Sequence, residues 1–425
     1  MINILFFICV FLLCILIKKY SIFSFEIIVY SIFFIYGFSF YIDYHLFDIE
    51  SVSFGGLGLI NFHSNNYLII CFLYTLFLFF YSLGLIKNKY KFICLKTKDS
   101  NIESINSTSD KLFSLQKYSV SNFILFFYIS LYSFLILFLF SLDRVDKISF
   151  LSSNKIITSI ATIGIFIFII ICTKSIFNKS KINIFEKLFI VSSLLFGLIE
   201  GGREIFIYIF LVLLPYFKSS RNKIIPFLIL LLGITGIIIW KAVSIWVFKL
   251  GDVQGLQDYL TTDFKFSITS MDPIGSLLLL NNYLDGSVFF ADYYFSYLVN
   301  TIKQVLGTLG IIDYDSLSVA SVKHFDYQFY LRGKGFAFSG ILESMLNFWY
   351  FGPAVLGYSV GFILSNLKKY FSSEFKIKVI KIFLVILLLK LVRTELAVVL
   401  KIYLLPMTIS YILFFKTINS GYSNK

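Results

Sequence analysis

The sequence predicts an all-α, polytopic transmembrane helical bundle, and three observations carry that expectation. Hydrophobic residues fill 58% of the 425 positions and aromatics 20%, while charged residues make up only 14%, against roughly 25% in a soluble domain. Apolar runs long enough to cross a hydrocarbon core of about 30 Å recur from one end of the chain to the other. The basic residues gather in short clusters between those runs, as in cytoplasmic loops.

Taken in order, the expected spans are Ile2 to Ile17, Ile22 to Tyr41, Tyr67 to Ile86, Ser119 to Phe140, Ile156 to Cys172 and Leu188 to Ile199. Then come Ile205 to Phe217, Ile224 to Phe248, Met345 to Leu367, Ile380 to Val392 and Leu396 to Phe415. That makes about eleven crossings, or twelve if one escapes the reading. The first run has no basic residue before it and no small-residue cleavage site after it, so it is expected to be retained as a span. Leu188 to Ile199 and Ile205 to Phe217 are short for full crossings at about 1.5 Å per residue and need extension through Phe185, snorkelling by Lys187 or local thinning.

Clusters at Lys18 and Lys19, Lys87 to Lys91, Lys174 to Lys181, Lys218 to Lys223, Lys368 and Lys369, and Lys416 mark the expected cytoplasmic side. The chain reads as one transmembrane domain, 1–425, with a flexible cytoplasmic linker at 87–118 and one large extracytoplasmic loop at 250–336. That loop is richer in acids than bases and mixes aromatic with polar residues, so short interfacial helices are expected in it.

The formal charge of +13 follows from the positive-inside clusters and not from a nucleic-acid patch. Four cysteines lie in apolar runs and Cys94 sits beside lysines, so neither a disulfide framework nor a metal site is indicated. Nucleotide, zinc-protease and serine-hydrolase motifs are missing from the sequence, and His45, His63 and His324 are dispersed. No cofactor or metal is therefore expected.

Two constellations carry chemistry. In Glu200-Gly201-Gly202-Arg203-Glu204 the glycines permit a tight turn with uncovered backbone N–H groups beside a guanidinium. Arg203 either holds an anionic group such as a diphosphate, or caps the hairpin by pairing with Glu200 or Glu204. The second constellation is Arg332-Gly333-Lys334-Gly335 followed by Ser339, Glu343 and Asn347, which share one helical face at i, i+4 spacing. That face is expected to descend into the span near Met345, placing a carboxylate and an amide near the mouth of the bundle.

Glu343 there is either a general base with a pKa lifted by burial or the partner of Arg332 or Lys334 in a structural salt bridge. His324 is either the competing base or a solvated loop residue. Arg393 and Glu395 form another short outward turn, so Arg393 is a third candidate for the same cavity. Gly357 and Gly361, four apart, should let a neighbouring helix approach closely.

The Gly-Gly-Arg203 turn between two spans, the long outer loop, and the run from Arg332-Gly-Lys-Gly to Asn347-Phe-Trp-Tyr-Phe-Gly together resemble the Wzy-type oligosaccharide repeat-unit polymerases. The resemblance covers the whole topology, and the sequence likeness lies in Glu200 to Phe206 and Arg332 to Gly357. It implies a GT-C-like, metal-independent glycosyltransferase of the bacterial cytoplasmic membrane. Such an enzyme joins undecaprenyl-diphosphate-linked oligosaccharides on the outer face into O-antigen or capsule, among membrane lipids and beside a chain-length regulator protein.

On that likeness Arg203 and Arg332 hold the donor diphosphate, with Arg393 as helper, and Glu343 or His324 activates the acceptor hydroxyl. Gly202, Glu200, Glu204, Lys334, Ser339 and Asn347 line the substrate site. The choice between His324 and Glu343 stays open, since the similar O-antigen ligases use arginines and a histidine in their outer loop. A lipid-linked oligosaccharide flippase and an O-antigen ligase are the alternatives, the first favoured by an internal repeat, which the sequence does not display.

Overall fold

A computed structural model describes residues 1–53, 57–96, 122–142, 146, 150–151, 154–178, 182–199, 204–219, 269, 273–286, 299, 302–303, 306, 311–312, 315–327, 338–371 and 373–416. In chain order its elements begin with α1 (Ile2–Tyr20), α2 (Phe25–Phe47), a hairpin of β1 (Ser51–Ser53) and β2 (Leu59–Asn61), and α3 (Asn65–Lys96). Next come α4 (Asn122–Phe140), α5 (Lys155–Asn178), α6 (Ile184–Ile199) and α7 (Glu204–Ser219). The order closes with α8 (Ile274–Leu284), α9 (Leu317–Phe325), α10 (Gly340–Phe348), α11 (Gly352–Tyr370), α12 (Glu374–Leu391), α13 (Leu396–Val399) and α14 (Leu405–Lys416).

Among the described residues, seven helical stretches are long and apolar enough to cross a membrane. Their large exposed side chains, such as Phe7, Phe11, Phe126 and Leu137, are what a lipid solvent requires of a helix surface. The protein is therefore embedded in a membrane through helices. The expected span Ile224 to Phe248 lies outside the described residues. Ile380 to Val392 falls in α12, whose four lysines and one glutamate keep it out of the seven. The helix over Leu188 to Ile199 starts earlier, at Ile184, and its 16 residues reach about 24 Å.

The chain divides into two compact units. The first comprises Met1–Lys91, Phe266–Ser372 and Leu384–Tyr403, and the second Phe92–Lys265, Ser373–Phe383 and Leu404–Lys425.

In the first unit α3 carries Tyr67, Tyr74 and Tyr81 seven residues apart, hence on one face. All three are fully buried, and a buried phenol needs a hydrogen-bond partner. Tyr67 Oη accepts the Tyr41 N–H at 2.7 Å, Tyr74 Oη lies 3.4 Å from Ser339 Oγ, and Tyr81 Oη donates to the Glu26 carbonyl at 2.8 Å. One stripe of tyrosines thereby fastens α2 and the start of α10 to α3.

α11 also packs on α3, at glycine distance. A Cβ on Gly357 would stand 2.3 Å from the Phe77 carbonyl oxygen, and one on Gly361 would stand 2.3 Å from that of Tyr81. The close approach expected at these two glycines is present, and it holds backbone against backbone.

In the second unit α4, α5, α6, α7 and α14 pack together. Tyr132 stacks on Phe196 at 4.7 Å and donates its hydroxyl to the Ala161 carbonyl at 2.7 Å. α6 opens with a capping box, in which Asn183 Oδ1 accepts the Glu186 N–H at 2.7 Å and Glu186 Oε2 accepts the Asn183 N–H at 3.1 Å. The other Glu186 oxygen meets Lys174 Nζ at 3.0 Å, a largely buried ion pair.

The structure adds detail to four expectations. α3 continues as helix through Lys96, into the start of the 87–118 segment. The all-α class acquires a small antiparallel hairpin, with Val52 opposite Ile60. Within the 250–336 loop, α8 is packed into protein: Ile274 to Asn281 are all buried in the first unit, against the hairpin, with Asn282 Nδ2 donating to the Leu57 carbonyl at 3.0 Å.

Finally, the expected span Met345 to Leu367 lies within one of the seven stretches, Gly340–Leu367, which is not a single straight helix. The helix breaks at Trp349, a bulky residue at φ 55°, and a Cβ on Gly352 would meet the Ser344 carbonyl oxygen at 2.0 Å. Residues eight apart lie roughly 12 Å apart along a straight helix. The contact therefore means that α10 folds back beside α11.

Candidate functional site

Several described candidate residues of the first unit lie where α10 and α13 begin. Ser339 is buried and caps α10, its Oγ accepting the Ile341 N–H at 3.1 Å. One turn on, Glu343 is 0% exposed, and Asn347 Nδ2 donates to the Glu343 carbonyl at 2.7 Å. Ser339, Glu343 and Asn347 thus share the face that their spacing predicts. The fold-back at Trp349 prevents that face from continuing down α11.

Instead Glu343 turns to another helix. Its Oε2 accepts the Leu396 N–H at 2.7 Å, satisfying one of the orphan donors at the N-terminus of α13, where the helix dipole favours negative charge. The residue before Leu396 is Glu395, also 0% exposed. Glu395 Oε2 accepts the Leu317 N–H at 2.5 Å, so it serves the N-terminus of α9 in the same manner. Two carboxylates thereby link three helix beginnings.

Burial raises the Glu395 carboxyl well above the usual carboxylate range, and the neighbouring Glu343 pushes it further up. The N–H groups of Leu317 and Ser318 pull in the opposite direction and do not overcome the first two. Glu395 Oε1 is buried without a hydrogen-bond partner.

Arg393 is exposed, and its carbonyl accepts the Phe338 N–H at 2.8 Å. The turn between α12 and α13 is thereby tied to the residue just before the α10 cap. Lys390, one turn earlier, places Nζ 4.8 Å from the centre of the Tyr403 ring.

His324 lies near the far end of α9 and is exposed. Seven residues of helix carry it about 10 Å along the axis from the Leu317 end that Glu395 caps. The structure therefore brings Ser339, Glu343 and the Arg393 turn together, leaves Asn347 one turn further along α10, and sets His324 at the other end of its helix.

Glu204 belongs to the second unit, as the first residue of α7, and its Oε2 accepts the Tyr208 hydroxyl at 2.8 Å. Glu200, Gly202, Arg203, Arg332 and Lys334 lie outside the described residues. Glu395 is the member of the site that the sequence reading placed in the Arg393 turn without giving it a role. Its signal was an acid directly preceding an apolar run, the position of a helix N-cap.

Among the described residues, no three His, Cys, Asp or Glu side chains gather as a metal site. The arrangement offers general-base chemistry: a desolvated carboxylate held in one orientation by a backbone N–H. Compared with protein-family models, with characterised proteins and with solved structures, the chain finds no match.

Proposed function

We propose that this membrane protein polymerises lipid-linked oligosaccharide repeat units, with a GT-C-like architecture and its site on the outer side of the bacterial cytoplasmic membrane. The observation that carries the reading is Glu343: a buried, oriented carboxylate in the same short stretch as Arg332, Lys334, Ser339 and Asn347. This stretch, with the Gly-Gly-Arg203 turn, is where the likeness to Wzy-type polymerases lies.

In the proposed reaction an acceptor sugar hydroxyl attacks the anomeric carbon of the donor. Its proton passes to the Glu343 carboxylate as the new glycosidic bond forms. The bond from that carbon to the diphosphate oxygen breaks, and undecaprenyl diphosphate leaves with the electron pair. Arg203 and Arg332 stabilise the charge that develops on it, with Arg393 at the rim. Glu343 is preferred over His324 because it stands in the cluster of helix beginnings and His324 does not.

The test supplies purified protein in nanodiscs with a labelled undecaprenyl-diphosphate repeat unit. A ladder of longer glycans that vanishes in Arg203→Ala and Arg332→Ala is the expected result. Transfer of single units across the bilayer without a ladder identifies a flippase, and transfer only to a lipid A core identifies a ligase. Either outcome overturns the polymerase reading, as does an unchanged ladder in both arginine variants.

A further inference from the structure

We propose that Glu343 and Glu395 form one buried proton-binding site, in which Glu395 carries a proton on Oε1 and shares it toward the Glu343 carboxylate. Glu343 Oε2 accepts the N–H of Leu396 at 2.7 Å, and Leu396 is joined by its peptide bond to Glu395. The Glu343 carboxylate therefore lies against the peptide that follows Glu395, and both residues are 0% exposed. Two like charges so close and so desolvated do not ionise independently, and their protons are held by the pair.

The lone oxygen identifies where the proton sits. Glu395 Oε2 has the Leu317 N–H, while Oε1 is buried with no partner. An ionised carboxylate oxygen can only accept, and leaving it unmet in the interior is costly. Protonated, the same atom becomes a donor whose natural acceptor is the second carboxylate. The upward push on Glu395 from burial and from Glu343 agrees with this placement.

The elements that meet here carry further charged groups among the described residues. Lys390 directs its ammonium to the Tyr403 ring, Arg393 is exposed, Lys323 is paired with Asp315, and His324 is at the distal end of α9. Arg332 and Lys334 lie outside the described residues. A shared proton leaves the pair a single negative charge, available to Glu343 as the base. That consequence rests on the polymerase reading, whereas the proton site does not.

The experiment is infrared spectroscopy of the full-length protein in nanodiscs, with glutamate carboxyl carbons isotopically labelled. At neutral pH a protonated glutamate band is expected, lost in Glu395→Gln and kept in Glu374→Gln, which alters an exposed acid. In Glu343→Gln the band should persist but disappear at a lower pH, because its negative neighbour is gone. A wild-type spectrum without the band at neutral pH overturns the proposal, and so does a band that survives in Glu395→Gln.

If Glu395→Gln does not fold, the wild-type spectrum and the Glu343→Gln titration still decide. A band present in a protein that makes no glycan ladder supports the proton site and refutes the function alone.

Discussion

The carboxylate of Glu343 accepts the backbone N–H of Leu396 at 2.7 Å, across a separation of 53 residues in the chain. An acid at the first turn of α10 thereby completes the beginning of α13, and the link depends on an acceptor oxygen more than on charge. Glu343→Gln keeps an acceptor and should leave the detergent melting temperature close to wild type, while removing glycan synthesis. Glu343→Leu strands a buried donor and should lose about 1–3 kcal/mol of stability. Equal melting of the Leu variant and wild type would remove the capping role.

Glu395 predicts a pH dependence of stability. Its folded-state carboxyl is raised by burial first and by Glu343 second, so the folded protein holds this proton more tightly than the unfolded chain. The stabilisation is fully present below the ordinary carboxylate range and is lost as pH rises through the raised value. Melting temperature should fall over that window in wild type, and the fall should flatten in Glu395→Gln. A slope of the opposite sign that depends on Glu395 contradicts the assignment.

Gly361 stands where a Cβ would lie 2.3 Å from the Tyr81 carbonyl oxygen. The obstacle is backbone, which cannot swing aside as a side chain can. Gly361→Leu should therefore push α11 from α3 and cost about 1–3 kcal/mol or more, seen as lower melting or poor recovery from membranes. Gly58, where nothing lies within 4 Å of an added Cβ but φ is +79°, tests backbone strain alone: Gly58→Ala should cost roughly 1 kcal/mol.

The ion pairs differ in worth. Lys174 and Glu186 meet at 3.0 Å with side chains 12% and 4% exposed, so Lys174→Met leaves a desolvated carboxylate and should cost about 3–5 kcal/mol. Lys174→Met combined with Glu186→Leu should recover part of that loss, net of the capping box that Glu186 also serves. Lys378 and Glu374 sit four apart on α12, with the glutamate exposed, and Lys378→Met should change stability by less than about 0.5 kcal/mol. Thermal or urea melts in one detergent compare the two; equal effects would mean that burial does not set the scale.

Much of the fold was legible in the chain because its solvent is lipid. The runs Ile2 to Ile17, Tyr67 to Ile86 and Leu396 to Phe415 return as the membrane-length stretches Ile2–Tyr20, Asn65–Ile86 and Leu396–Phe415, since apolar length alone decides whether a segment can cross. The Gly357 and Gly361 contact was legible too, because small residues four apart leave a groove only a neighbouring backbone can fill.

The hairpin at Ser51–Asn61 and the burial of α8 were not. Strands of three residues leave almost no alternation to read, and Ile274 to Leu284 is too short to distinguish an interfacial helix from a core one until its neighbours are known.

For the site, the sequence by itself determined which groups are scarce: a few acids and arginines in a chain that is 14% charged, and the i, i+4 face of Ser339, Glu343 and Asn347. Only the tertiary structure decided what Glu343 faces. The positive φ at Trp349 and the crowding at Gly352 fold α10 back, which sets Glu343 against Leu396 and beside Glu395. Local spacing fixes which side chains share a helical face, but the partner of that face is chosen by where the chain turns. That turn is paid for by contacts between residues far apart in sequence.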